Sequence, residues 1–189
     1  MVTLFYSRVQ PAGMAVPHIL VLDCTTKDEP SEGRLLREFF KICKLFKKAK
    51  GQALCYPVTS KTEFLSKLNT NKRYDIIHIS AHGSTNGRKD ASIGNGSTWQ
   101  ASSEEIAETG HRAGLVFVNA CVSSRQKMAE AFHSKYFLAP ISSVRWDDAA
   151  LFSLMFYKKF IVDGIKMESA FRFAKKHTKT GKDYPVYWE

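Results

Sequence analysis

No run of apolar residues in this chain approaches the roughly 20 needed to cross a bilayer. The longest, such as His18–Leu22 and Leu115–Val118, are far shorter, so no transmembrane segment is expected. The start, Met1–Arg8, has no basic stretch followed by an apolar run and a small-residue cleavage site, which argues against secretion and for a cytoplasmic protein. Cysteine is sparse: the four present form no Cys-x-x-Cys pair and do not cluster with histidine, so neither a disulfide framework nor a zinc site is expected. Cys24 and Cys55 fall in strand-like runs and Cys43 on the apolar side of a helix, as small buried hydrophobes do. Internal repeats, low-complexity tracts and linkers are absent as well. Acid is in short supply, with 18 acidic against 28 basic side chains and a net charge of +10.

What is present describes a globular chain. Its 189 residues fit one domain over 1–189, and 44% hydrophobic with 24% charged residues suits a packed core and a wet surface. The positive excess raises a nucleic-acid partner. Arg34, Arg37, Lys41, Lys44 and Lys48 recur at helical spacing opposite Leu35, Phe39, Ile42, Cys43 and Phe46, the pattern of a solvated helix face. Lys158, Lys159, Arg172, Lys175, Lys176, Lys179 and Lys182 form a second basic cluster that would add weak phosphate affinity. No aromatic-basic recognition motif accompanies either cluster, so specific nucleic-acid binding is not expected.

Along the chain, strand and helix alternate. Residues 1–17 suggest an accessory strand over Val2–Val9 and a turn through Pro11, Gly13 and Pro17. The first core strand is His18–Asp23, and a helix starts at Ser31-Glu32 and runs to about Lys50, with Gly51 as its stop. A strand over Gln52–Pro57, a helix over Lys61–Asn69 and a strand over Tyr74–Ser80 follow. This repetition implies an α/β fold whose sheet is mainly parallel, with right-handed crossovers. Two turn-rich stretches, Gly83–Gly87 and Gly94–Ser97, flank a short hairpin. Gly94-x-Gly96 is not read as a phosphate loop, because no buried strand enters it and no helix opens at its second glycine. Ser102–Glu105 starts a helix stopped by Gly110. Then come a strand over Leu115–Cys121, a helix over Ser123–His133, a strand over Tyr136–Val144 interrupted by Pro140, and helices over Asp147–Val162 and Met167–Lys176.

Two of these segments carry chemistry. Ile76-Ile77-His78-Ile79-Ser80-Ala81-His82-Gly83 and Leu115-Val116-Phe117-Val118-Asn119-Ala120-Cys121 are each a buried strand ending in a reactive side chain. Open α/β sheets present their functional groups at such carboxyl ends. A histidine after one strand and a cysteine after another make a candidate base and nucleophile. His82 alone would be an ordinary loop histidine before a turn glycine; Cys121 in the matching place changes its meaning. His78, inside its strand, reads as a buried, hydrogen-bonded histidine, and Asn119 as a structural amide. His111, His133 and His177 read as isolated surface residues.

His-Gly closing one strand and Asn-Ala-Cys closing the next resemble the caspase-like cysteine peptidases, most closely their bacterial CHAT branch. The resemblance runs from about His18 to about His177. It includes Val144-Arg145-Trp146-Asp147-Asp148, which, with the aromatic-rich helix after it, looks like the family's fifth strand, substrate-binding turn and fifth helix. The caspase signature Gln-Ala-Cys-x-Gly is not kept, since Asn119 precedes Ala120 and Val122-Ser123 follow Cys121. The resemblance implies a caspase-like three-layer sandwich and a cysteine endopeptidase, with Cys121 as nucleophile and His82 as general base and acid. It also implies an oxyanion hole from the backbone amides of Gly83 and Cys121, a protein substrate, and no metal or organic cofactor. A bacterial immunity or programmed-death setting and a regulatory protein partner are implied in the same way.

The residues expected at the substrate are Val144, Arg145, Trp146 and Asp147, with Ser142, Ser143 and Asp148 nearby. Arg145 would favour an acidic side chain before the scissile bond. Asp147 or Asp148 would favour a basic one, though acidic residues in a helix's first turn are also explained by its dipole. One arginine is thin ground for aspartate selectivity, so the expected pocket is apolar or mixed, edged by Val144 and Trp146. The rival readings are a catalytically silent caspase-like interaction module, and a small-molecule thiol hydrolase or acyltransferase using the same two side chains.

Overall fold

Strands apolar on both faces need a helical layer on each side, and the chain supplies two. A computed structural model describes residues 17–43, 53–85 and 87–188. Its elements are β1 (Ile19–Asp23), α1 (Glu32–Ile42), β2 (Ala53–Pro57), α2 (Lys61–Leu68), β3 (Tyr74–Ser80), β4 (His82–Thr85), β5 (Ala91–Gly94) and β6 (Gln100–Ser102). There follow α3 (Ser103–Ala107), β7 (Ala113–Asn119), α4 (Gln126–Ala131), β8 (Tyr136–Leu138), α5 (Trp146–Tyr157), α6 (Met167–His177) and β9 (Val186–Trp188). The central sheet runs β2-β1-β3-β7-β8-β9; only β9 is antiparallel to its neighbour. The protein is thus α/β, three-layered, with a mainly parallel sheet.

Alternation along each strand divides the core in two. Leu20, Leu22, Ile77, Ile79, Val116 and Val118 pack against Phe64 and Leu68 of α2, Ile106 of α3 and Met128 of α4. Ile19, Val21, Ile76, Leu115 and Phe117 pack on the opposite face, against α1, α5 and α6. Caps fix where several helices begin. Ser31 accepts from the Arg34 amide and Ser60 from the Glu63 amide, while Ser102 and Glu105 complete a reciprocal capping box.

The structure redraws several expected elements. The accessory strand over Val2–Val9, and the expected helix end with Lys44, Phe46 and Lys48, lie outside the described residues. The buried side of α1 is Glu32, Leu36 and Phe40, whereas Leu35 is 41% and Ile42 79% exposed. Spacing by four from Glu32 turns the helix about one position from the face expected, because that carboxylate has partners beneath the sheet's end. The helix expected over Ser123–His133 is cut to Gln126–Ala131, since Ser123 and Ser124 are held in a turn and His133 adopts a φ of 41°. The last parallel strand stops at Leu138, before Pro140, which has no N–H to donate. The glycine-flanked hairpin is a three-stranded antiparallel sheet, β4-β5-β6, joined also through Ser84, Ser92 and Gln100 side chains.

One buried polar cluster crosses the layer between sheet and helices. Asn119 Nδ2 donates to Glu32 Oε1 at 2.7 Å and to Ser153 Oγ at 2.8 Å, and Tyr184 Oη donates to Asn119 Oδ1 at 2.7 Å. His78 Nδ1 lies 3.0 Å from the Tyr157 hydroxyl. Its Nε2 faces Glu32 Oε2 at 3.4 Å, close enough for an ion pair and too poorly directed for a hydrogen bond. Burial alone would raise the Glu32 carboxyl pKa; the His78 imidazole and hydrogen bonds from Ser153 and Asn119 outweigh it and lower the value from 4.5. A depressed carboxylate contributes stability that is full above the ordinary glutamate range and fades as pH falls through the lower folded value. Glu32→Ala, which leaves His78 and Asn119 buried without their partner, is expected to cost about 3–5 kcal/mol in urea denaturation. It should also flatten the loss of stability expected of the wild type as pH falls below the ordinary glutamate range.

Candidate active site

The register of two strands sets this site. Ser80 of β3 stands opposite Asn119 of β7, and the Ala81 amide continues the ladder by donating to the Asn119 carbonyl at 3.0 Å. Two residues beyond each partner come His82 and Cys121. With a period of two, both leave the sheet on the side of Asn119, above α1 and α5. The order β2-β1-β3-β7 also makes the gap between β1 and β3 the place where the chain reverses its direction across the sheet, the crevice where open α/β sheets bind ligands.

Gly83 brings the two backbones into contact. A Cβ there would lie 2.0 Å from the Cys121 carbonyl oxygen and 3.0 Å from its nitrogen, so no larger residue fits without moving β4. Cys121 itself is half-buried, and its Sγ lies 3.7 Å from the Val144 carbonyl, which accepts the thiol proton. The Cys121 amide has no hydrogen-bond acceptor among the described residues. Val122 follows with a φ of 53°, a rare conformation for a β-branched residue. Its amide bonds to the Ser142 carbonyl at 3.1 Å, while Ser123 Oγ bonds to the Ala120 carbonyl and the Ser124 amide to the Pro140 carbonyl. These bonds over-determine the turn and hold the strain beside the thiol.

Three further elements enclose the His82 ring. Trp146, the first residue of α5, meets it edge-on with centroids 5.4 Å apart. Gly96, at a φ of 79°, lies against its other atoms so closely that a Cβ would sit 2.7 Å from His82 Cγ. The Asn95 side chain shapes that turn by accepting from the amides of Ser97, Thr98 and Trp99. On the third side Glu29 Oε1 lies 2.5 Å from His82 Nε2. The other Glu29 oxygen is taken by the Thr26 amide at 2.7 Å and hydroxyl at 2.9 Å. Burial would raise the Glu29 carboxyl pKa, but these bonds and the His82 ring lower it from 4.5.

Of the expected substrate residues, the structure brings Val144 and Trp146 to the histidine and cysteine. Arg145 and Asp147 instead turn to each other in an exposed two-pronged pair, Nε to Oδ1 at 3.0 Å and Nη2 to Oδ2 at 2.8 Å, with Asp148 4.0 Å from Nε. Mutual bonding raises the Arg145 pKa and lowers that of Asp147. Ser142 donates to Asp183 at 2.6 Å, away from the thiol. His111, expected at the surface, is buried between Thr109 Oγ1 and the Phe132 carbonyl. His133 and His177 are exposed, the latter stacked on Phe173. Cys24 is fully buried, and burial raises its thiol pKa; Cys43 and Cys55 are only partly covered, with burial raising the Cys55 thiol to about 11. Glu29 and Gly96 were missed by sequence reasoning. The Thr26-x-x-Glu29 spacing of a capping box was the available signal, though here it closes a loop rather than a helix.

Among the described residues no group of three or more His, Cys, Asp or Glu side chains is placed to hold a metal ion, and no helix is long and apolar enough to cross a membrane. No protein-family model matches the chain, and no curated protein matches it. What the arrangement can do follows from its atoms: a thiol, a hydrogen-bonded imidazole and a close backbone crossing, all at one sheet edge. Gly83→Ala should force that crossing apart at a cost of about 1–3 kcal/mol and slow alkylation of Cys121 by iodoacetamide. Gly110→Ala, where the added methyl would meet only Asn69 Oδ1 at 3.6 Å, is the control expected to change neither.

Proposed function

We propose that this chain is a cysteine endopeptidase that cleaves a protein substrate with Cys121 as nucleophile and His82 as general base and acid. The observation that supports the reading is the β3–β7 register, with Gly83 packed on the Cys121 backbone, since it brings the ends of the two strands that carry His82 and the half-buried Cys121 together at one end of the sheet. In the resting arrangement the thiol donates to the Val144 carbonyl. Substrate entry would draw it from that bond. His82 then takes the proton, the thiolate adds to the peptide carbonyl, and the carbonyl electron pair moves onto oxygen. Amides of Gly83 and Cys121 are the proposed donors to that oxyanion. Collapse expels the amine, which collects the proton from His82, and water acting through the same imidazole hydrolyses the thioester.

Resemblance to the CHAT branch of the caspase-like peptidases points the same way and is the sole ground for a bacterial immunity or programmed-death role. Selectivity falls to the apolar edge of Val144 and Trp146. Arg145 and Asp147 answer each other's charge, which leaves neither as a dominant lone charge for the substrate.

Two outcomes are expected. Cys121→Ala and His82→Ala should each lower peptide cleavage by at least about 10³-fold, the double variant being hardly worse than either, with denaturation midpoints little changed. Full activity in purified Cys121→Ala would sink the proposal, and absence of cleavage together with a Cys121 inert to peptide electrophiles would favour a silent interaction module. In a cleavage-site library read by mass spectrometry, medium-sized apolar or mixed residues should precede the cut. A dominant aspartate there would return Arg145 to the substrate, and a dominant lysine or arginine would return Asp147 or Asp148.

A further inference from the structure

Glu29 is the one carboxylate within hydrogen-bond reach of the His82 ring among the described residues, and it is held there from behind. Its Oε2 accepts both the amide and the hydroxyl of Thr26, which fixes the side chain and leaves Oε1 aimed at Nε2. The loop carrying it is pinned at both ends by Asp23, which accepts from Thr25 at one end and from the Ser31 hydroxyl at the other. Building on the endopeptidase reading, we propose that Glu29 is a positioning residue that turns the Cys121–His82 pair into a triad. Its carboxylate holds the proton on Nε2 and keeps Nδ1 as the basic nitrogen of the ring.

The physical argument is one of tautomers. A neutral imidazole carries one N–H, and the hydrogen bond made by one nitrogen decides which it is. An ionised carboxylate has no proton to give, so at 2.5 Å it can only accept, and Nε2 must be the donor. Nδ1 is then the ring's lone pair. When Cys121 loses its proton, the S–H bond breaks, the proton goes to Nδ1, and thiolate and imidazolium form together. The Nε2–H stays in its bond to Glu29, which gains no proton and offsets the positive charge that has formed. The Nδ1 proton later leaves with the departing amine. Glu29 touches neither substrate nor thiol and acts wholly through His82.

Among the described residues, the surroundings leave this role to Glu29. Trp146 contributes an uncharged edge from α5, and the Gly94–Ser97 turn brings no ionisable group. Cys121 stands on the β7 side. The charges at the start of α5, Arg145, Asp147 and Asp148, are committed to one another. On the loop of Glu29 itself, Lys27 and Asp28 make no ion pair with it. His78, four residues earlier on β3, is occupied by Tyr157 and Glu32.

The test uses the intact chain with ¹⁵N-labelled histidine, the His82 signals being assigned by their loss in His82→Ala. The wild type should show the Nε2–H tautomer, and Glu29→Ala a mixture of both. Glu29→Gln should lower kcat by on the order of 10²-fold with KM nearly constant. It should change the shape of the pH profile for alkylation of Cys121 by iodoacetamide. Thr26→Val, which removes only the support behind the carboxylate, should move every readout in the same direction and by less. In a His82→Ala background the Glu29 change should have no further effect on alkylation. An Nδ1–H tautomer in the wild type, or an equal effect of Glu29→Gln with and without His82, would overturn the proposal. If tautomer and alkylation respond while no peptide is cleaved by any form, Glu29 positions His82 as stated and the endopeptidase reading is what fails.

Discussion

The pairing of β3 with β7, with Ser80 opposite Asn119, is the constraint from which the candidate site follows. A slip of one residue would send His82 and Cys121 to opposite faces of the sheet, because side chains alternate with a period of two. The slip is costly because both strands are buried on both faces, and it would exchange the large apolar sets of the two cores. Ile77, Ile79, Val116 and Val118 on one side, and Ile76, Leu115 and Phe117 on the other, therefore fix the position of residues that lie beyond the strands themselves. The core thereby sets where the candidate site lies.

Beneath the candidate site lies a polar layer that a purely apolar core would not need. Asp23, Ser80 and Asn119 stand side by side in register at the ends of β1, β3 and β7. The first residues of α1 close over them through Ser31, Glu32 and Gly33. Buried polar groups are expensive unless they find partners, so the layer specifies where α1, α5 and the Tyr184 segment sit. Leu36 and Phe40 face the core because Glu32 does, which is why the apolar residues of α1 do not all point inward. The cluster is thereby a positional device as much as a source of stability.

Several surface charges are arranged in closed pairs although the whole chain is strongly basic. Arg145 with Asp147, Lys127 with Asp90 and Glu104, and Lys61 with Glu105 engage opposite charges on neighbouring residues or elements. The exception that meets the candidate dyad is Glu29, whose partner is the imidazole of His82. Net charge speaks to solubility and long-range attraction, and it says little about which carboxylate meets which ring.

Much was legible in the residues themselves. Near-continuous apolar runs at Ile76–Ile79 and Leu115–Val118, separated by capped helices, give parallel strands and a three-layer α/β fold from local patterning alone. The strand over Tyr74–Ser80 and the starts of α1, α2 and α3 follow from the same signals, and His82 and Cys121 stand out because each follows such a strand. The depth of His78 and the structural use of Asn119 were also readable, since polar side chains inside an apolar strand must be satisfied there. Other features were decided in three dimensions. The rotation of α1 answers to Glu32, whose partners lie on β3, β7 and α5. His111 is buried by Phe132, and β9 forms where the chain's last described residues return to β8. Arg145 and Asp147 showed their charges but not that they spend them on each other. Glu29 is 53 residues from His82 in sequence, and no local rule joins them. Patterns of period two and 3.6 record what a residue does within its own element; which side chains meet across elements depends on sheet order and register, and only the folded chain fixes those.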